Sequence, residues 1–481
     1  MKGGSKFAPL LLLIPYLGAM LFLLSRMELE AAQLLFILPA ALGILYILTS
    51  RFKSFLFLAV FATPMSINMV NIGGGVGFSF PVEVMLALSA IGAVSLFIWE
   101  GLPASKVMRH PVTVLILVQF LWIIVTSVTS SYTLISAKFA VSRLTYLLVF
   151  YFLFARIFKE EGQIRRFVWT YGLGFMPIMI YAIIRLGQIG YARRFSPDMA
   201  EPFFDDHTVF GAVIALILPL FIIWMFRPKI HLKGLKFSWL VWVIGGLAII
   251  GLFISFSRAA WLSLILAAGF YLLLKIKITF PMVVGLFCLL VATAWIFQDP
   301  LLEKMQSNKN VSGDDFVEMA ASVTSLESDE SNAERVNRWS CALRMGMDEP
   351  WTGFGPGTYE SNYPPYQLQS EMTRISTMSG DRGDAHSEYL TAFSEQGLPG
   401  LLIWLVLVFT LIRTGMRSYY THTDPVLKSL ALGLLLGLFT YFIHGAVNSF
   451  LDIDKAAVLF WGLAAGTVVL DSVRNSSPDY S

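Results

Sequence analysis

Long apolar runs separated by short polar connections dominate the chain. A hydrocarbon core of about 30 Å needs roughly 17–25 apolar residues per helix. By that measure fourteen segments are expected to span a bilayer, near 8–24, 31–50, 54–70, 82–99, 112–129, 141–156, 167–186, 208–226, 237–256, 259–275, 279–297, 398–413, 428–450 and 456–471. The third and sixth are the weakest. Connections as short as "TSRFKS" make neighbouring spans antiparallel. One stretch breaks the pattern. Residues 298–388 form a long polar segment. The pattern therefore predicts an all-α, polytopic membrane helix bundle of about 12–14 spans. It divides the chain into N-terminal transmembrane helices (1–297), a loop with amphipathic helices (298–397) and C-terminal transmembrane helices with a tail (398–481).

Inside the loop the pattern changes twice. The stretch up to Asn332 is rich in Ser, Asn and acids and reads as a linker. In "NAERVNRWSCALRMGMDEP", Val336, Trp339, Leu343 and Met347 recur at helical spacing, with Arg335, Arg338 and Arg344 on other faces. This predicts an amphipathic helix over the membrane, ending before Pro350. "WTGFGPGTYESNYPPY" predicts turns whose backbone could approach a ligand closely. Its aromatic rings could stack on sugars or anchor at the membrane interface. In "HSEYLTAFSEQGLPGLL", His386, Leu390 and Phe393 fall on one face of a short helix. Gly397, Pro399 and Gly400 then let the chain turn into the next span, holding His386 over the mouth of the bundle.

Charge assigns sides. With the N-terminus inside, 20 of the 35 Lys and Arg residues fall on inner connections, 8 on outer ones and 7 in the loop. The positive-inside rule then places both termini in the cytoplasm and the loop outside. The basic start of the chain reads as an uncleaved first span. Six of the eight outer cations are arginine, whereas lysine is the majority inside. A planar guanidinium fits phosphate oxygens, so an outer arginine excess suggests anion binding. For Arg26, Arg143 and Arg185, anchoring by snorkelling is an equal reading. Arg258 sits in a turn of a few residues between two spans, where a guanidinium needs a partner.

Composition narrows the function. Hydrophobic residues make up 56% of the chain and charged ones 14%, against about 25% charged in soluble proteins. The net charge of +3 and the apolar runs exclude a nucleic-acid partner. Cys288, in a span, and Cys341, in the loop, suit neither a disulfide nor a metal centre. His110, His231 and His422 fall in cytoplasmic connections. His444 falls in a span, where bonding to a neighbouring helix is expected, and Glu395 reads as a structural partner. Asp205, Asp206, His207, Asp384, His386 and Glu388 could in principle gather round a divalent cation. The arginines already supply the positive charge, so neither metal nor cofactor is expected.

"SRAAWLSLIL", "ERVNRW…GFGPGTY" and "HSEYLTAFSEQGLPGLL", in this order after many spans, resemble the O-antigen ligase and polymerase superfamily over roughly residues 190–450. The resemblance implies a bundle of the broad GT-C type in a bacterial inner membrane, with the long loop periplasmic. It implies metal-independent, inverting transfer of a glycan from an undecaprenyl pyrophosphate donor to lipid A core, as in ligases, or to a second repeat unit, as in polymerases. By the same resemblance His386 matches the catalytic histidine. Arg258, Arg335 and either Arg193 or Arg194 match arginines that bind the pyrophosphate. "FFDDHTVFGA" departs from the Pro-Asn of many relatives, which leaves the choice between Arg193 and Arg194 open. A lipid-linked sugar transporter would instead place charges deep in the spans. A scaffold would need no outer arginines, and a shape-and-division polymerase would carry a loop acid in place of the histidine.

Overall fold

The computed structural model describes residues 51–69, 78–158, 161–191, 195–226, 238–296, 330–373, 376 and 384–474. The expected spans at 8–24 and 31–50, the linker up to residue 329, and Arg26, Arg193 and Arg194 lie outside these. The chain divides into two compact units, Met1–Ala59 and Val60–Ser481. In the first, the described residues begin helix α1 (Phe52–Ala62), which ends within the second.

Among the described residues the second unit is all-α apart from one pair of strands, in which β1 (Ile67–Met69) pairs antiparallel with β2 (Phe78–Phe80). Its helices are α2 (Val82–Glu100), α3 (Pro111–Val128), α4 (Thr133–Ile157), α5 (Glu161–Ile189), α6 (His207–Phe226), α7 (Leu240–Ile254) and α8 (Arg258–Lys275). They continue as α9 (Phe280–Ile296), α10 (Glu330–Asp348), α11 (Glu388–Thr421), α12 (Pro425–His444) and α13 (Asp454–Arg474). Among the described residues nine helices are long and apolar enough to cross a membrane. The segments at 52–65, 240–254 and 280–293 are apolar but shorter. The chain is a polytopic membrane helix bundle.

Helices α6, α12 and α13 form the buried centre, whereas α2 and α8 expose most of their surface. Ile98 and Trp99 of α2 are exposed although apolar. Lipid is as apolar as a leucine-rich helix, so the peripheral helices carry no polar outer face. The expected sixth span is longer than its apolar run suggests. It starts at Thr133 and passes through a π-helical turn at Leu147–Leu153.

Helices α6 and α12 run antiparallel, with Thr440 Oγ1 donating to Ala215 O at 3.0 Å. The start of α6 therefore lies beside the end of α12. The starts of α8, α11 and α13 and the ends of α3 and α7 share that level, here named the loop end. Contacts at the opposite end include Arg156 with Glu100 and His110 with Asp471.

Candidate functional site

His386 stands just before α11, and its backbone is left-handed, with φ of 46°. Such a conformation in a non-glycine residue is strained and persists only where the surroundings hold it. Asp384 Oδ1 accepts the His386 backbone N–H at 3.0 Å and lies 2.9 Å from ring Nδ1. Trp339 Nε1 of α10 donates to the His386 carbonyl at 3.2 Å, and Arg338 donates to the Asp384 carbonyl at 3.3 Å. Arg338 is itself buried, paired with Glu334 at 2.9 Å and set over the Tyr363 ring. Helix α10 thus pins the histidine turn. Burial opposes the Asp384 charge, but the hydrogen bonds and charge of His386, with help from Arg338, hold this carboxyl below its usual range. A proton on Nδ1 satisfies the carboxylate and leaves Nε2 with a lone pair.

The helical face expected for His386, Leu390 and Phe393 is corrected here. Ser387 is the N-cap of α11, accepting from Leu390 N, so His386 lies outside the helix. An Asp two residues before a His, with a small residue between, forms an Asx-type turn that competes with the helix start.

The neighbouring acids have structural partners. Buried Glu388 accepts from Tyr441 Oη at 2.5 Å and from the N–H groups of Phe450 and Leu451 at 2.8 and 2.9 Å. Its own N–H donates to Gly445 O at 2.8 Å. It staples the start of α11 to the turn between α12 and α13. Glu395, also buried, accepts the N–H groups of Gly357 and Tyr359 at 2.8 and 2.9 Å. The Gly-Phe-Gly-Pro-Gly turn therefore wraps the helix break and presents its backbone to Glu395. Gly397 makes the break with φ of 69°, and a Cβ there would stand 2.5 Å from the Trp351 backbone. Gly353, with φ of 62°, meets the Glu395 backbone equally closely. Tyr359 and Tyr363 are buried and stacked with centroids 5.2 Å apart, so these rings form the core of the loop.

Helix α10 is also rotated from its expected seating. Val336, Cys341, Ala342 and Met345 are buried, while Leu343 and Met347 are exposed. Burial pushes the Cys341 thiol up to about 11.

Arg258 is the first residue of α8, whose N-cap is Ser257. The turn before it rests on the start of α6, where His207 Nδ1 lies 2.6 Å from Ser255 O. Asp206 caps α6 through the Thr208 N–H at 2.7 Å. At the end of α12, His444 is fully buried, and neither ring nitrogen has a hydrogen-bond partner among the described residues. The helix-to-helix bond expected for it is absent there. Gly445 follows His444 directly and holds Glu388. Arg335 is half-buried on α10, one turn before Trp339. Arg258, Arg335 and His386 therefore stand at the same end of the bundle.

Two other arginines expected on the outer side have internal partners. Arg143 pairs with Asp452 at 2.6 Å, and Arg185 donates to Asp198 O at 2.8 Å. Among the described residues no three His, Cys, Asp or Glu side chains are spaced to hold a metal ion. Sequence reasoning missed Asp384 as the partner of the histidine, Arg338 as its brace and Trp339 as the donor to its carbonyl. Only the Asp-Ala-His spacing carried a usable signal. The others depend on contacts between distant segments.

The arrangement combines an imidazole oriented by a carboxylate with two guanidiniums at one membrane end. Chemically, it can accept a proton from a hydroxyl and hold an anionic group. Comparison with curated proteins gave no match. The family model described as O-Antigen ligase matches residues 243–405, the segment that carries Arg258, Arg335, the glycine turn, Asp384 and His386. Over that segment, about a third of its length, the chain is similar to the O-antigen ligase family.

Proposed function

We propose that the protein is a membrane glycosyltransferase of the ligase type. It moves a glycan from undecaprenyl pyrophosphate to a hydroxyl of lipid A core at the periplasmic face of the bacterial inner membrane. Both termini lie in the cytoplasm in this reading, which rests on the positive-inside bias. The observation that carries the chemistry is the Asp384–His386 pair, with the ring held at 2.9 Å by one carboxylate oxygen. The acceptor oxygen attacks the anomeric carbon from the face opposite the leaving group, and its proton passes to His386 Nε2. The bond from anomeric carbon to phosphate oxygen breaks, and lipid diphosphate departs with inversion. Arg258 and Arg335, with Arg193 or Arg194, hold the diphosphate and stabilise the charge that develops on it, so the step needs no metal. A positioned base contributes about 10²–10⁴-fold. The polar loop keeps water from the donor.

Polymerisation of lipid-linked repeat units is the second reading, because the motifs that carry the family likeness do not separate the two activities. Reconstituted protein with lipid-pyrophosphate glycan, offered either lipid A core or a second repeat unit, distinguishes them. A single capped product supports the ligase. A ladder of lengths overturns it in favour of the polymerase, and no transfer to either acceptor overturns both.

A further inference from the structure

At the end of the bundle opposite His386, helices α6, α8 and α12 leave a groove of about 660 Å³. That volume is in the range of small-ligand pockets, about 300–1,000 Å³. Its walls are apolar, with Phe226, Leu264, Ala268 and Leu436 among them, and its rim carries Lys275 and Lys428. Lys275 lies over the Tyr271 ring at 5.0 Å and Lys428 over the Tyr419 ring at 5.1 Å. These aromatic contacts hold both ammonium groups at the rim. Neither has a carboxylate partner among the described residues. The nearest acid in sequence, Asp424, accepts the N–H groups of Val426 and Leu427 as the α12 cap. Tyr420 Oη donates to Ile278 O at 3.0 Å and ties the end of α11 to the end of α8.

Depth and charge together define an occupant. From Lys275 to Leu264 the groove follows α8 for eleven residues, about 16 Å at 1.5 Å per residue. That is about half of a 30 Å hydrocarbon core, the depth of one leaflet. A ligand that fits has one acyl-length apolar part and an anionic head at the level of the lysines. Basic pockets between transmembrane helices recognise anionic lipid head groups in this way.

We propose that this groove binds one anionic glycerophospholipid, its phosphate between Lys275 and Lys428 and an acyl chain along α6, α8 and α12. The site lies apart from the candidate transfer site and does not depend on the reading given to that site.

The test reconstitutes the full chain in nanodiscs of phosphatidylcholine with a minor share of phosphatidylglycerol. Lipids retained after detergent exchange are then quantified by mass spectrometry. Each lysine near the head group should contribute about fivefold, so the pair should enrich phosphatidylglycerol by about thirtyfold. K275A/K428A should abolish the enrichment. A268W, which fills the groove and keeps both lysines, should displace the lipid as well and covers the case in which the double variant does not fold. Enrichment that survives both substitutions would mean non-specific annular lipid and overturn the proposal. So would displacement of phosphatidylglycerol by lipid diphosphate at equal concentration, which would make the groove a donor site.

Discussion

One oxygen of Asp384 engages His386 twice, 2.9 Å from ring Nδ1 and 3.0 Å from the backbone N–H. The backbone bond holds the left-handed turn and the ring bond orients the imidazole, so Nε2 is the nitrogen left for a substrate. Removing the carboxylate charge should act on ring orientation and backbone turn together.

His386→Ala should lower the turnover of glycan transfer by about 10²–10⁴-fold, with a smaller change in donor KM. Asp384→Asn should reduce turnover in the same direction, because it loses the charge that orients and stabilises the imidazole. Single-turnover kinetics with saturating donor check both. Full turnover by His386→Ala would remove the base assignment.

Loss of donor binding should follow from Arg258→Ala or Arg335→Ala. A charge-assisted hydrogen bond contributes about 1.5–3 kcal/mol, so each should weaken donor binding by about 10- to 150-fold. Lysine at either position should restore only part of this, since it lacks the planar fork. Equilibrium binding of a labelled lipid diphosphate is the measurement. Undiminished binding would sink the assignment for that arginine.

Acid should loosen the loop through Asp384. Its folded carboxyl is held below the usual range, so the unfolded state binds the proton more tightly. The stabilisation is fully present above the unfolded value of about 3.9 and is lost as pH falls through the lower folded value. The wild type should therefore exceed Asp384→Asn in thermal stability near neutral pH, with the difference closing below about pH 4. A gap in Tm that does not change between those conditions would contradict this.

Gly397→Ala should destabilise the chain more than an ordinary surface substitution. A left-handed conformation costs a residue with Cβ about 1–2 kcal/mol, and the new atom would also meet the Trp351 backbone at 2.5 Å. Thermal unfolding followed by tryptophan fluorescence in detergent should show a lowered Tm. An unchanged Tm would mean that the glycine turn yields easily around the helix break.

Hydropathy alone was enough for the class of fold, because a bilayer demands one helix length and one apolar composition. It marked the long polar loop, and glycine and proline chemistry located the break at Gly397. Residue type and position pointed to Arg258, and the family resemblance added His386 and Arg335 as candidates. Periodicity failed at α10, where Leu343 and Met347 are exposed and Cys341 and Met345 are buried. In a membrane protein apolar side chains suit both lipid and core, so hydrophobic spacing cannot say which face turns inward. Only the tertiary structure could commit Glu388 and Glu395 to backbone N–H groups, and Arg143 to Asp452. Only it could join Trp339 to the His386 carbonyl. Those pairings join segments tens to hundreds of residues apart. Local sequence holds no term for them, since they form when helices packed by shape bring distant polar groups to one level.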